Sequence, residues 1–208
     1  MIRKIINITK HLVYLALGRF VANDGSASVG ELEFMVELIK KSGVELIGET
    51  GFNAGSSSYA FLRASPETEV VSFDIGYHGY VKPAKKFIDK EFPGRHTLIC
   101  GDSKKTLPKF AKDHPGFKFD YIFIDGGHDY KTAKADIINF KELSNAETIV
   151  IMDDLVPWLP WGVGPTRAWR EAIDDGSVTQ RELFIDGKRF EEIKPPGKNG
   201  WAVGSYIY

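Results

Sequence analysis

Cysteine is almost absent from this chain: Cys100 stands alone among 208 residues, so no intrachain disulfide can form. That suits a reducing compartment, and a cytoplasmic protein is the expectation. Long apolar runs are missing too. The best candidate, residues 12–17, is too short to span a bilayer. It follows Lys10 and His11 closely and lacks a small-residue cleavage site, unlike a signal peptide. Charge of either sign is not in excess, with 27 Lys and Arg against 28 Asp and Glu, and no basic stripe stands out. Nucleic acid is therefore not expected as a partner. There is no internal repeat and no low-complexity tract. Cys100 itself ends an apolar run and reads as a buried strand residue.

What is present begins with an amphipathic stretch. Ile2, Ile5, Ile6, Thr9, Val13, Leu17 and Phe20 recur at helical spacing. Residues 1–27 are expected to form a helical extension, acting as a lid or as a contact between copies in a homo-oligomer. Residues 28–208 form the main domain. A helix is expected over 31–41, ended by Gly43. Apolar runs at 44–47, 70–73, 97–100, 121–124 and 148–152 then alternate with helical candidates at 56–63, 81–91, 103–112 and 130–142. Strands alternating with helices of this length mean βαβ units and a parallel sheet covered on both faces. The fold class is α/β, Rossmann-like and doubly wound. After Asp154 the pattern changes: a helix over 165–173 precedes strands at 181–185 and 201–207, read as an antiparallel pair at the sheet's end. The connection between those strands carries Gly187, Pro195, Pro196 and Gly197.

The stretch Glu49-Thr50-Gly51-Phe52-Asn53-Ala54-Gly55-Ser56-Ser57 lies between the first strand and its helix. Such glycine-bearing turns bind nucleotide-like cofactors at the carboxyl ends of parallel strands. One glycine is lacking, however. Asn53 stands where a dinucleotide fingerprint has its middle glycine, so a pyrophosphate loses its close-approach position. Glu49 at the strand end repels phosphate and attracts a cation. A cofactor with a positive end and no phosphates follows, and S-adenosylmethionine fits. The bland alternative is a structural turn.

Every strand of the parallel set ends at a polar residue: Glu49, Asp74, Gly101-Asp102-Ser103, Asp125 and Asp153-Asp154. Asp74 stands where nucleotide folds place a ribose-binding acid, or it caps a helix. Asp102 and Ser103 can meet an adenine edge, or cap the helix they precede. Asp125, Asp153 and Asp154 suit a hard divalent cation, with Mg2+ the expectation. Asp153 and Asp154 can both ligate only if the chain bends there, because strand neighbours point to opposite faces. His128, beyond Gly126-Gly127, stands at the crevice mouth as a general base or, more blandly, as a surface residue. Of the other histidines, only His78, near Asp74, invites a role. Trp158 and Trp161, in a proline-braced loop, either stack on a sugar or aromatic ring or anchor the loop. Trp169 reads as core.

These residues resemble the class I S-adenosylmethionine-dependent methyltransferases, over roughly residues 28–154. The small metal-dependent O-methyltransferases of the catechol and macrocin types are the nearest group. Their first motif, E-x-G-x-x-x-G-x-S, is matched by Glu49, Gly51, Gly55 and Ser57. Asp74 matches the ribose acid, and Gly101 and Ser103 the Gly-x-Ser after the third strand. Asp125 to Tyr130 is similar to the macrocin type, with histidine three residues after the aspartate. Asp153-Asp154 matches the fifth strand's end. The resemblance implies seven strands with a reversed final strand. It also implies a cofactor site of Glu49, Gly51, Asn53, Gly55, Ser57, Asp74, Asp102, Ser103 and Asp125. The cation would sit at Asp125, Asp153 and Asp154, with a further acidic ligand that the sequence does not place, and His128 would be the base. The acceptor would be a hydroxylated small molecule. A nicotinamide-dependent oxidoreductase and a non-catalytic S-adenosylmethionine-binding protein stay open as alternatives.

Overall fold

The alternating runs assemble into one sheet in the computed structural model, which describes residues 27–208. The expected helical extension over residues 1–27 lies, but for Ala27, outside the described residues. The elements in chain order are α1 (Val29–Ser42), β1 (Leu46–Thr50), α2 (Ser56–Ala64), β2 (Glu69–Asp74), α3 (Val81–Glu91), β3 (His96–Cys100) and α4 (Ser103–Asp113). They continue with β4 (Tyr121–Ile124), α5 (Tyr130–Glu142), β5 (Ile149–Met152), α6 (Val163–Asp174), β6 (Val178–Ile185), β7 (Lys188–Arg189) and β8 (Gly200–Tyr206). The strand order is β3-β2-β1-β4-β5-β8-β6-β7. The first five strands are parallel, and β8 runs antiparallel between β5 and β6.

Eight strands replace the seven expected. The addition is β7, a two-residue strand paired with Phe184 and Ile185. Its cause is local. Asp186 and Gly187 both take positive φ, 47° and 75°, which is what a two-residue hairpin loop of the favoured hand demands. That Asp-Gly pair belongs to a hairpin, not to a plain connection. The reversed strand is present, but it lies inside the sheet.

The central strands are buried on both faces, and their residues divide with period two. Ile122 and Ile124 of β4 join a core with Phe119, Phe140 and Trp169, whereas Tyr121 and Phe123 join one with Ile47, Phe61 and Trp201. Trp169 is fully buried, as its spacing predicts. Cys100 is not: it is exposed. It ends β3, the edge strand, where the sheet offers no neighbour on one side. No helix among the described residues is long and apolar enough to cross a membrane.

Helix α1 starts with a capping box. The Glu31 N–H donates to Ser28 Oγ (3.3 Å) and the Ser28 N–H donates to Glu31 Oε2 (3.2 Å). The box draws Glu31 back over the end of its helix, where it is buried. Gly43, in the left-handed region, closes α1 at the other end.

Candidate active site

The turn after β1 is held against the turn after β4. Gly51 has φ 90°, and a Cβ there would lie 1.8 Å from the Asp125 carbonyl oxygen. Only glycine permits both the backbone sign and that approach. Asp74 fixes the same turn from β2: its Oδ2 accepts from the Asn53 N–H (2.9 Å) and its Oδ1 from the Gly76 N–H (2.6 Å). Around this frame opens a cavity of about 420 Å3 at the carboxyl ends of the strands. Gly51, Asn53, Asp74, Asp102, Ser103, Asp125 and His128 line it, together with His78, Lys104 and Thr132. Asp102 also caps α4 by accepting from the Lys104 N–H (3.1 Å), so its capping and lining placements coexist.

Glu49, Gly55 and Ser57 do not line this cavity. The Glu49 carboxylate is fully buried behind it. Its Oε2 accepts from Ser57 Oγ (2.8 Å), and its Oε1 accepts from Ser72 Oγ (2.6 Å) and Ser58 Oγ. Behind Ser72 stands His96, with Nε2 2.7 Å from Ser72 Oγ. A hydroxyl has one hydrogen, and Ser72 gives it to Glu49, so His96 Nε2–H donates to Ser72. The ring stacks on Phe52 in the turn (centroids 5.0 Å apart). Burial, with Lys85 adding to it, lowers the His96 pKa to about 3 and keeps the ring neutral. Burial also raises the Glu49 pKa, and the three serine hydroxyls oppose the rise.

The second half of the crevice is different. Asp154 leaves β5 with φ 61°, a conformation rare outside glycine. The chain does bend, but the two aspartates part company. Asp154 turns toward His128, with Oδ2 3.0 Å from Nε2. Asp153 turns inward, and its carboxyl group meets that of Glu31. Among the described residues, the donor atoms that gather within 4.8 Å of one another are those of Asp125, His128 and Asp154. His128 thus takes the place in that group that the strand-end pattern gave to Asp153, and Asp153 backs the group instead.

Charge crowds there. Burial lifts Glu31 to about 7, with a contribution from Asp154. Burial, then the charges of Glu31, Asp125 and Asp154, lift Asp153 well above the usual carboxylate range. Asp125 rises in the same way, through burial and then Asp154, Glu31 and Glu49.

Three features escaped the sequence reading. Glu31 reads as a helix start, and the Ser28–Glu31 capping spacing is the signal that it turns back over the helix end. His96 carries no local signal, because its partner Ser72 lies on the neighbouring strand. Asp136 of α5 is fully buried, with Oδ2 3.0 Å from where a Cβ on Gly126 would stand. Burial raises it to about 6, and the Ser103 and Thr50 hydroxyls oppose this. Trp158 anchors its loop by donating from Nε1 to the Gly197 carbonyl (2.8 Å), while Trp161 is exposed.

Solved structures share this architecture. An O-methyltransferase from Bacillus cereus in complex with SAH has a TM-score of 0.76 at 20% identity, covering 97% of this chain and 90% of that one. TomG, an O-methyltransferase from Streptomyces achromogenes involved in tomaymycin synthesis, in complex with SAM, has a TM-score of 0.74 at 20% identity with the same coverages. CalS11, a TDP-rhamnose 3'-O-methyltransferase of calicheamicin biosynthesis, has a TM-score of 0.63 at 18% identity, covering 92% and 85%. No curated protein matches the sequence significantly. The methyltransferase domain, as a sequence family, matches residues 49–155, which is just over half of the chain and spans the whole crevice from Glu49 to Leu155. The chain belongs to the methyltransferase domain family.

Proposed function

We propose that this protein is an S-adenosylmethionine-dependent O-methyltransferase acting on a hydroxyl of a small molecule, a sugar or an aromatic, with help from a divalent cation. One observation carries it: a cavity lined by the Gly51–Asn53 turn and Asp74 adjoins a His128–Asp154 pair backed by buried acids. S-adenosylmethionine supplies a methyl group on a cationic sulfur. Asp74 would hold the ribose hydroxyls, and Asp102 and Ser103 the adenine edge. Glu49, buried behind the turn with Ser57, keeps a negative charge close to the cationic end. The bound relatives support this: the Bacillus cereus and TomG structures hold SAH and SAM.

The residues fit a hard cation. The carboxylates of Asp125 and Asp154 converge beside the His128 imidazole, and burial, then the charges of their neighbours, push Asp125 and Asp153 above their usual range. Asp125 and Asp154 would hold the ion, with Asp153 and Glu31 adding negative charge behind; Glu31 suits the role of the further acid. A cation there would lower the pKa of an acceptor hydroxyl. His128 takes that hydroxyl's proton, its ring oriented by Asp154. The walls of the crevice hold donor and acceptor in line, which contributes several kcal/mol through positioning alone. The CalS11 reaction on a sugar hydroxyl, named for that enzyme, supports the acceptor class.

The test is methyl transfer from labelled S-adenosylmethionine to a panel of hydroxylated sugars and phenols. Label in at least one methyl ether, lost on chelation, supports the proposal. No transfer to any acceptor in the presence of Mg2+ counts against it. Thermal shifts with NAD and S-adenosylmethionine separate it from an oxidoreductase.

A further inference from the structure

The first turn of α6 enters between the loops that follow β4 and β5. Gly162, the residue before the helix, lies against the second loop. A Cβ there would stand 2.3 Å from the Val156 carbonyl oxygen and 2.8 Å from that of Asp154. Gly164, two residues on, lies against the first loop. A Cβ there would stand 2.3 Å from the His128 carbonyl oxygen, 2.6 Å from the Tyr130 nitrogen and 2.8 Å from the Asp129 carbonyl carbon. All are main-chain atoms, which cannot swing aside as the tip of a side chain does. Neither glycine serves a left-handed backbone: Gly162 has φ −87° and ψ −9°, and Gly164 lies within the helix. Their missing side chains serve closeness alone.

The two main chains touched this way carry the two partners of one contact, His128 Nε2 to Asp154 Oδ2 at 3.0 Å. We propose that Gly162 and Gly164 act together as a spacer that sets the separation of His128 from Asp154, and so are positioning residues for the reaction. The role in catalysis rests on the methyl-transfer function proposed above; the role in geometry does not. Helix α6 is a sound gauge because it is fixed elsewhere. Trp169, in its middle, is fully buried and donates from Nε1 to Gln180 Oε1 (3.0 Å), so α6 cannot retreat to make room for an added methyl. The loops must yield instead, by about 1 Å to restore ordinary contact. A shift of that size at a reacting group costs roughly 100-fold in rate.

The experiment compares Gly164→Ala with Gly30→Ala, a control on α1 where nothing lies within 4 Å of an added methyl. Crystal structures read the Nε2–Oδ2 separation directly. It should open beyond hydrogen-bonding range in Gly164→Ala and stay at its original value in the control. Turnover should fall about 100-fold in Gly164→Ala, with SAH affinity changed by less than about twofold. A merely structural glycine would lower the melting temperature but leave both the separation and the turnover of folded molecules unchanged, and that result overturns the proposal. If neither Gly164→Ala nor Gly162→Ala folds, hydrogen exchange on the unaltered protein decides. The amides of residues 128–132 and those of 162–164 and 166 should open with one shared free energy, and clearly different opening free energies for the two segments overturn the spacer. If the unaltered protein fails to transfer methyl while the separation opens as expected, the proposed function falls and the spacer stands.

Discussion

Two buried acids in this crevice lead opposite lives. Glu49 is sealed behind the cofactor turn, yet three serine hydroxyls accompany its carboxylate, and a neutral histidine supports one of them. Glu31 is sealed behind the other half, and its neighbours are Asp153, Asp154 and Asp125. A buried charge with hydrogen-bond donors is self-sufficient; a buried charge among like charges needs a counter-charge or a proton. The first region is finished as it folds. The second gathers like charges that something positive would relieve, and under the proposed function that difference separates a binding half of the crevice from a cation half.

The largest effect should come from removing the cation half. Asp125→Ala with Asp154→Ala should abolish transfer, as should chelation, and SAH calorimetry should still show binding. Full activity after exhaustive chelation would end the comparison. His128→Ala should lower turnover by about 10²–10⁴-fold with SAH affinity nearly intact; an unchanged turnover number removes His128 from the mechanism.

Stability separates the halves next. Glu31 titrates near 7 in the folded protein against an ordinary 4.5, so the folded state holds its proton more tightly than the unfolded one. Its contribution is complete below pH about 4.5 and is lost as the pH rises through 7, a change of about 3 kcal/mol. Asp125 and Asp153 act in the same direction. Thermal melts without cation should therefore fall between pH 5 and 8, and Mg2+ should stabilise more at pH 8 than at pH 5. A cation effect independent of pH would contradict this. Glu31→Gln should raise the metal-free melting temperature at pH 8, whereas Glu49→Ala should cost about 2–3 kcal/mol by orphaning its serines. The smallest effect is expected at His96. His96→Leu should cost about 1 kcal/mol, while His96→Gln, which can keep a donor at the same place, should cost less.

The fold was legible because its signals are local. Continuous apolar runs marked β1 to β5, and all five pair in parallel. The cavity lining was legible for the same reason: Asp74 ends β2, Gly51 and Asp125 directly follow β1 and β4, and strand ends in a parallel sheet converge. Cys100 was misread because exposure depends on which strand lies at the edge, which no local pattern states. Asp153 and Asp154 were given one role because their side-chain directions turn on a single backbone angle, φ 61° at Asp154, that residue types do not encode. Glu31, His96 and Asp136 were missed because their partners lie on other elements. The Asp186-Gly187 hairpin was readable from its two residues and was overlooked between longer strands.

Titration calorimetry of the folded protein with SAH tests the central claim most directly, since it needs neither the acceptor nor the cation. The expected result is saturable binding at one site, weakened strongly by Asp74→Ala and little by His128→Ala. Absence of heat with SAH and S-adenosylmethionine alike, on protein that melts cooperatively, would contradict it.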